Sequence, residues 1–371
     1  MKNFKVAQSD LTDTVAAVKS IKEQLSGIDA CLVLYFASPS YPAAAISKEM
    51  AGAFVGVHTV GCTTAGEMGP DKMGQDSIVA MAWNKVTLKD LKIEVLENIQ
   101  TDTEAVAKAF KSFEKSLGKP MKLLDPAQYV GMVMIDGLSG CEEAVNDRLG
   151  NLTNVPFVGG STGDNFMFQH TYLFVDGKAF TNAAVLLLME PSKGYAILKT
   201  QSFITTDKKL TPTKVDEKRR MVVEFNGKPA AEAYASVLGI SVDDLAKNLG
   251  EYPLGLVFDE HNFFVRSPMK IEGTSIIFYC SVKEGLELTV LHSSDIVTGT
   301  RTDLAETEQN CGEVQAVVDF NCCLRVLELT RKNQLKAYSE IFRHIPTIGF
   351  ATYGESYIGH INQTSTMLLL K

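Results

Sequence analysis

Val60-Gly61-Cys62-Thr63-Thr64-Ala65-Gly66-Glu67 is the stretch on which the fold turns, because the chain writes it again twice. Val158-Gly159-Gly160-Ser161-Thr162-Gly163-Asp164 and Ile348-Gly349-Phe350-Ala351-Thr352-Tyr353-Gly354-Glu355 repeat its order of apolar residue, glycine, hydroxyl cluster, glycine and acid. Upstream of each lies an apolar run (Cys31 to Phe36, Tyr129 to Asp136, Val314 to Phe320) and then a segment that reads as a helix. A weaker copy runs from Met221 to Leu254-Gly255, with Leu256-Val257-Phe258-Asp259-Glu260 in place of the hydroxyl loop. Proline stands just ahead of the glycine phrase in three copies (Pro156, Pro253, Pro346), and His58 takes that place in the first. The copies recur at roughly 95 residues, about twice the period of solenoid and propeller repeats, so each is a supersecondary block.

Two apolar strands joined through a helix should pair in parallel with a right-handed crossover. The polar loops then gather at the carboxyl edge of the sheet, where backbone N–H groups and helix dipoles meet ligands. After each glycine loop the pattern turns to alternating strands, such as Thr171 to Val175 and Ala179 to Met189 around the turn Asp176-Gly177. An α/β (mixed α+β) fold with mixed sheets is therefore expected, as a helix/sheet/sheet/helix sandwich of two pseudo-symmetric halves. The polar stretch from Thr205 to Lys218, with Pro212, reads as the loop between them and divides the chain into residues 1–212 and 213–371. Leu11, Val15, Val18, Ile21 and Leu25 predict an amphipathic helix before the first copy.

Composition narrows the function classes. The net charge of −8 and the absence of a basic cluster beyond Lys218-Arg219-Arg220 argue against nucleic-acid binding. The longest apolar runs fall far short of a membrane span, and the first residues do not resemble a signal peptide, so a cytoplasmic location is expected. Seven scattered cysteines without a Cys-x-x-Cys pair fit a reducing compartment and no structural zinc.

The loops supply the candidate site. Thr63, Thr64, Glu67, Ser161, Thr162, Asp164, Thr352 and Glu355 place hydroxyls and carboxylates at strand ends, a donor and acceptor set suited to an amino or carboxylate group. The alternative is that they cap turns and serve the fold. Cys322 and Arg325 open the helix after the last copy's first strand. There the thiol reads either as a nucleophile with Glu355 or His360 as base, or as a small buried residue. Arg325 reads either as a carboxylate clamp or as a structural ion-pair partner. No two histidines have helical metal-site spacing, and His261, His344 and His360 lie nearest the loop-bearing strand ends. The glycine loops lack the lysine of a phosphate loop, which disfavours nucleotide binding.

The three glycine phrases, with Asp136-Gly137-Leu138-Ser139-Gly140, Phe320-Asn321-Cys322-Cys323-Leu324-Arg325 and Asn362-Gln363-Thr364, resemble the FIST domains of intracellular signal transduction proteins. The resemblance spans the chain from about Ala30 onward. It implies a non-catalytic sensory module that binds a small molecule such as an amino acid, and it adds Asn321 to the candidate ligand-binding residues. In some stand-alone bacterial members the cofactor is haem and the signal nitric oxide, passed to a histidine kinase. No kinase or cyclase motif is read in these residues, so a separate signalling partner is expected.

Overall fold

The central strands are apolar on both faces, as strands covered by a core on one side and helices on the other must be. The computed structural model describes residues 2–70, 72–258 and 263–371. Among them Leu32, Leu34 and Phe36 point to one core, and Val33, Tyr35 and Ala37 to a helical layer. Contacts divide the chain into two compact units, one of residues 1–200, 300–360 and 365–371, the other of residues 201–299 and 361–364.

The first unit holds three six-stranded sheets built to one plan. Sheet one runs β1 (Phe4–Ser9), β6 (Ile78–Asn84), β2 (Ala30–Ala37), β3 (His58–Thr63), β10 (Leu173–Val175), β11 (Lys178–Phe180). Sheet two runs β7 (Leu88–Glu97), β12 (Ala183–Pro191), β8 (Val130–Ile135), β9 (Phe157–Ser161), β25 (Glu355–Tyr357), β26 (His360–Ile361). Sheet three runs β13 (Tyr195–Gln201), β27 (Thr364–Leu370), β23 (Ala316–Cys322), β24 (Thr347–Thr352), β4 (Glu67–Met68), β5 (Met73–Gly74). In each, the two central strands are parallel and their registers correspond, with Leu34 beside Val60, Met132 beside Val158 and Val318 beside Ile348. The crossover helices are α2 (Ala43–Ala53), α4 (Glu142–Leu152) and, in the last copy, α8 (Cys323–Arg331) with α9 (Leu335–Ser339).

After its glycine loop each copy sends a hairpin into another copy's sheet. The first copy's β4 and β5 extend sheet three, the last copy's β25 and β26 extend sheet two, and the second copy's β10 and β11 extend sheet one. This closed exchange makes the three copies interdependent. Their inner faces meet in one core, where Phe36 lies 4.6 Å from Phe350 and Phe320 lies 5.7 Å from Phe350, ring centre to ring centre. The helical layers include α1 (Thr14–Gln24) on sheet one and α3 (Ala105–Leu117) on sheet two. Asp13 caps α1 by accepting from the Ala16 N–H at 2.8 Å, and the helix buries Ala17, Val18 and Ile21, with Leu25 just past its end. Leu11 and Val15, expected on the same face, are exposed.

The repeated glycine has a steric cause. A Cβ at Gly61, Gly159 or Gly349 would stand 2.0, 1.7 and 2.4 Å from the carbonyl oxygens of Tyr35, Val133 and Asp319 on the neighbouring parallel strand. No side chain fits at those distances, so the phrase recurs wherever this strand pair is built.

The weaker copy departs from the plan. Its two strands, β16 (Met221–Phe225) and β18 (Leu254–Val257), lie in different sheets and pair only antiparallel, contrary to the parallel crossover expected of every copy. One sheet is β14 (Phe203–Leu210), β22 (Leu288–Ser293), β18, β19 (Phe263–Arg266). The other is β15 (Pro212–Asp216), β16, β21 (Ser275–Phe278), β20 (Pro268–Glu272), with β17 (Lys228–Pro229) against β16. Both strands are short and have antiparallel partners close along the chain, so local hairpins form at less entropic cost than a parallel crossover. The helices α5 (Ala230–Leu238) and α6 (Val242–Asn248) pack on Phe225, Ile276 and Phe278 instead. Thr205 to Lys218, read as a loop, is mostly β14 and β15. The second unit thus enters the chain between β13 and α7 (Ile296–Cys311), and the copies group three and one.

Candidate functional site

The three glycine loops meet at the carboxyl ends of β3, β9 and β24, and each pair is joined by two backbone hydrogen bonds. Gly163 N–H donates to Thr63 O (3.1 Å) and Asn165 N–H to Thr64 O (3.1 Å). Ala65 N–H donates to Ala351 O (3.1 Å), and Ala351 N–H returns to Gly66 O (2.7 Å). Ser161 N–H donates to Gly354 O (2.8 Å) and Tyr353 N–H to Ser161 O (3.1 Å). A Cβ on Gly163 would lie 2.6 Å from the Ala65 nitrogen, so this approach also requires glycine.

The side chains of the loops turn inward. Thr64 Oγ1 donates to Glu67, whose other carboxylate oxygen accepts from Ser77 N–H (3.0 Å) and Ser77 Oγ (2.9 Å). Thr352 Oγ1 donates to Glu355 at 2.5 Å, the same clasp in the last copy. Thr162 Oγ1 accepts from Gly137 N–H at 3.0 Å. Both glutamates are fully buried. Burial pushes the Glu67 carboxyl up to about 7, against the hydrogen bonds from Thr64 and Ser77, which favour the charged form.

Asp164 organises the segment that follows. It accepts from the N–H groups of Phe168 (2.9 Å), Gln169 (2.6 Å) and His170 (3.0 Å) and from the Tyr353 hydroxyl (2.5 Å). Tyr353 Oη in turn accepts from Phe166 N–H at 2.8 Å, and desolvation together with Asp164 holds this phenol protonated. Asn165, Phe166 and Phe168 adopt left-handed backbone angles (φ 53°, 65° and 52°), unusual for two phenylalanines and stabilised here by the Asp164–Tyr353 clasp. Met167 and Phe168 project outward, 60% and 55% exposed.

Between this segment and the start of α2 lies a cleft of about 320 Å³, bordered by Tyr41, Pro42, Thr63, Asp164, His170 and Tyr172 among others. The first turn of α2 faces it without a side-chain cap, because the N-cap is Pro42 and Ala43, Ala44 and Ala45 follow. Its N–H groups and positive dipole end suit a carboxylate or another small anion. Thr63 and Asp164 are the sequence candidates that line the cleft. Tyr41, His170 and Tyr172 were not foreseen. The proline-alanine run from Pro42 to Ala45 is the one signal that marks an uncapped helix start.

The other candidates sit elsewhere. Thr64, Glu67, Ser161, Thr162, Thr352 and Glu355 are enclosed in the loop junction, each at 0% exposure. Asn321, Cys322 and Arg325 belong to β23 and α8, where Arg325 Nε donates to Asn321 Oδ1 (3.0 Å) and Nη2 to Thr300 Oγ1 (3.0 Å). Cys322 is 1% exposed, out of reach of an incoming amide or ester in this conformation. Beneath them Asp319 accepts from Ser365 Oγ (2.5 Å) and Tyr338 Oη (2.9 Å). Of the histidines, His58 pairs with Asp176, His360 is buried against Gly354, and His261 lies outside the described residues. His170 and His344 border cavities of about 320 and 200 Å³, too small for a tetrapyrrole, so the described residues there do not fit haem. Among the described residues, no group of three or more histidine, cysteine or acidic side chains is set to hold a metal ion, and no helix is long and apolar enough to cross a membrane.

Residues 31–228 match the family model of the FIST N domain, and residues 230–357 match that of the FIST C domain. The chain is also similar to the uncharacterized protein MJ1623 of Methanocaldococcus jannaschii, with 23% identity over 254 residues, 64% of this chain and 48% of that protein. The similarity thus spans about half the length of that relative.

Proposed function

Because the chain belongs to the FIST family, whose domains are associated with sensory signal transduction, we propose that it is a sensory protein whose small anionic ligand enters the cleft between α2 and residues 164–172. The observation that carries this reading is the uncapped first turn of α2 opening on a cavity walled by Thr63, His170 and Tyr172. Amino and organic acids are the class that fits, since one carboxylate satisfies the helix end and a short side chain fills a cavity of this size.

Asp164 serves the loop in this reading, since its oxygens already accept four hydrogen bonds. An occupant of the cleft touches Met167, which lines it and is also exposed, and the next residue, Phe168, is exposed as well, so binding is readable on the surface by a separate partner. A histidine kinase or another signalling protein fills that role. The enclosed position of Cys322 favours sensing over cysteine catalysis.

The test is a thermal-shift and calorimetric screen of amino and organic acids against the protein and Ala43→Glu. An acid in the first turn of α2 leaves the helix as stable or more so, through the dipole, yet repels an anionic ligand. A ligand at 100 times its Kd should add about 2.7 kcal/mol to the parent protein. Ala43→Glu should lose at least tenfold in affinity. Equal binding by both would overturn the site, and no stabilisation by any acid would overturn the ligand class.

A further inference from the structure

The three copies act as controls for one another at the opposite edge of the sheets, where each crossover helix ends and the second central strand begins. In sheet one the exchanged hairpin turns at Asp176, in the left-handed region (φ 47°), and its carboxylate lies at the start of β3. Asp176 accepts from Thr59 N–H (2.8 Å) and contacts His58 Nδ1 (2.9 Å). In sheet three the corresponding space holds about 200 Å³ and is bordered by Arg343 and His344, which follow the helical segment ahead of β24. The connectors ahead of β3 and β24 thus each hold a histidine of the chain itself, His58 against Asp176 and His344 beside Arg343, which pairs with Glu340 at 3.8 Å.

Sheet two differs in its connector and in its hairpin turn. The connector from α4 to β9 is Thr153-Asn154-Val155-Pro156, with Asn154 at the position of His344 and Pro156 at that of His58 when the glycine phrases are superposed. The last turn of α4, like that of α2, contains no basic residue, so its carboxyl end is left to the connector. The residue matching Asp176 is Ile358, a β-branched side chain held at φ 58° and 78% exposed, a conformation isoleucine adopts only under constraint. The result is a cavity of about 430 Å³, with Asp147, Asn151 and Asn154 on one side and Phe157, Tyr357 and Ile358 on another.

We infer that this cavity is a second binding site, for a small organic cation: an amine whose charged end meets the carboxyl end of α4 and whose apolar body lies against Phe157, Tyr357 and Ile358. The ligand places a cation where the connectors of sheets one and three hold a histidine of the chain itself. Asp147 and the last carbonyls of α4 exclude a carboxylate, so the site selects against the anions proposed for the other cleft.

Benzylamine is the probe, with benzyl alcohol as its neutral counterpart and phenylacetate as its anionic one, each followed by saturation-transfer NMR and calorimetry on the full chain at low salt. The expected result is saturable binding of benzylamine alone, weakened at least tenfold in Asn154→Arg, which restores a basic residue at an exposed position. Asp147→Asn should weaken it severalfold and report the charge without filling the cavity. Melting curves matching the parent confirm that both variants fold. Benzyl alcohol binding as well as benzylamine, undiminished binding to Asn154→Arg, or no benzylamine binding at 10 mM, roughly the weak end for a small fragment, would each overturn the inference.

Discussion

Gly159→Ala should cost more than about 4 kcal/mol, a loss exceptional for a single substitution. The added Cβ would meet the Val133 carbonyl oxygen at 1.7 Å and its carbon at 2.7 Å, both backbone atoms of the adjacent parallel strand. A side chain can rotate away from such a contact; a paired strand cannot do so without breaking β8 from β9. Because β9 leads into the loop junction and pairs with β25 of another copy, the damage spreads to sheets two and three. Gly52→Ala is the control, in α2 with nothing within 4 Å of the new methyl group. It should gain up to about 1 kcal/mol from helix propensity. Urea unfolding of both variants checks the pair, and a loss below about 1 kcal/mol for Gly159→Ala contradicts the steric account.

The second large effect is a fall in stability with rising pH, centred on Glu67. Its carboxyl is raised from an ordinary 4.5 to about 7 by burial, so the folded protein holds a proton that the unfolded chain releases. The stabilising contribution is present in full below about 4.5 and is lost as pH climbs through about 7. The shift is worth at most about 3 kcal/mol. Asp319, raised by burial to about 6, adds to the same trend. In the neutral acid Glu67 donates to Thr64 while Ser77 still donates to the other oxygen, so protonation leaves its hydrogen-bond partners in place. Glu67→Gln mimics that neutral form. It should flatten most of the decline in melting temperature between pH 5 and pH 8, leaving the smaller slope from Asp319; a variant with the parent's full slope would remove Glu67 as the cause.

Much of this architecture was legible in the residues. The apolar runs, the glycine phrase and the hydroxyl-acid loops located three parallel strand pairs correctly, because the steric requirement at Gly61, Gly159 and Gly349 is local to each copy. The exchange of hairpins was not legible, since the strand signal of Glu355 to Tyr357 is the same whether it pairs with its own copy or with β9. The weaker copy showed the opposite failure. Its apolar spacing matched the others, yet its missing hydroxyl loop was the truer sign that it builds a different unit.

At the site the limit was of another kind. Thr64–Glu67 and Thr352–Glu355 recur as i, i+3 pairs because both complete the same enclosed clasp. Threonine and glutamate in a loop read alike whether they face a ligand or each other. Asp164 stands apart, since its acceptor capacity is spent on the segment from Phe168 to His170 and so places His170 and Tyr172 at the cleft.

The central claim is that three loops from three copies form one hydrogen-bonded junction supporting the cleft beside α2. Residue-resolved amide hydrogen exchange tests it most directly, read at Ala65, Ser161, Gly163, Asn165, Ala351 and Tyr353. The account predicts that all six exchange slowly and together, with the protection of the central strands β2, β8 and β23. Fast exchange in any one loop while the other two stay protected would contradict it.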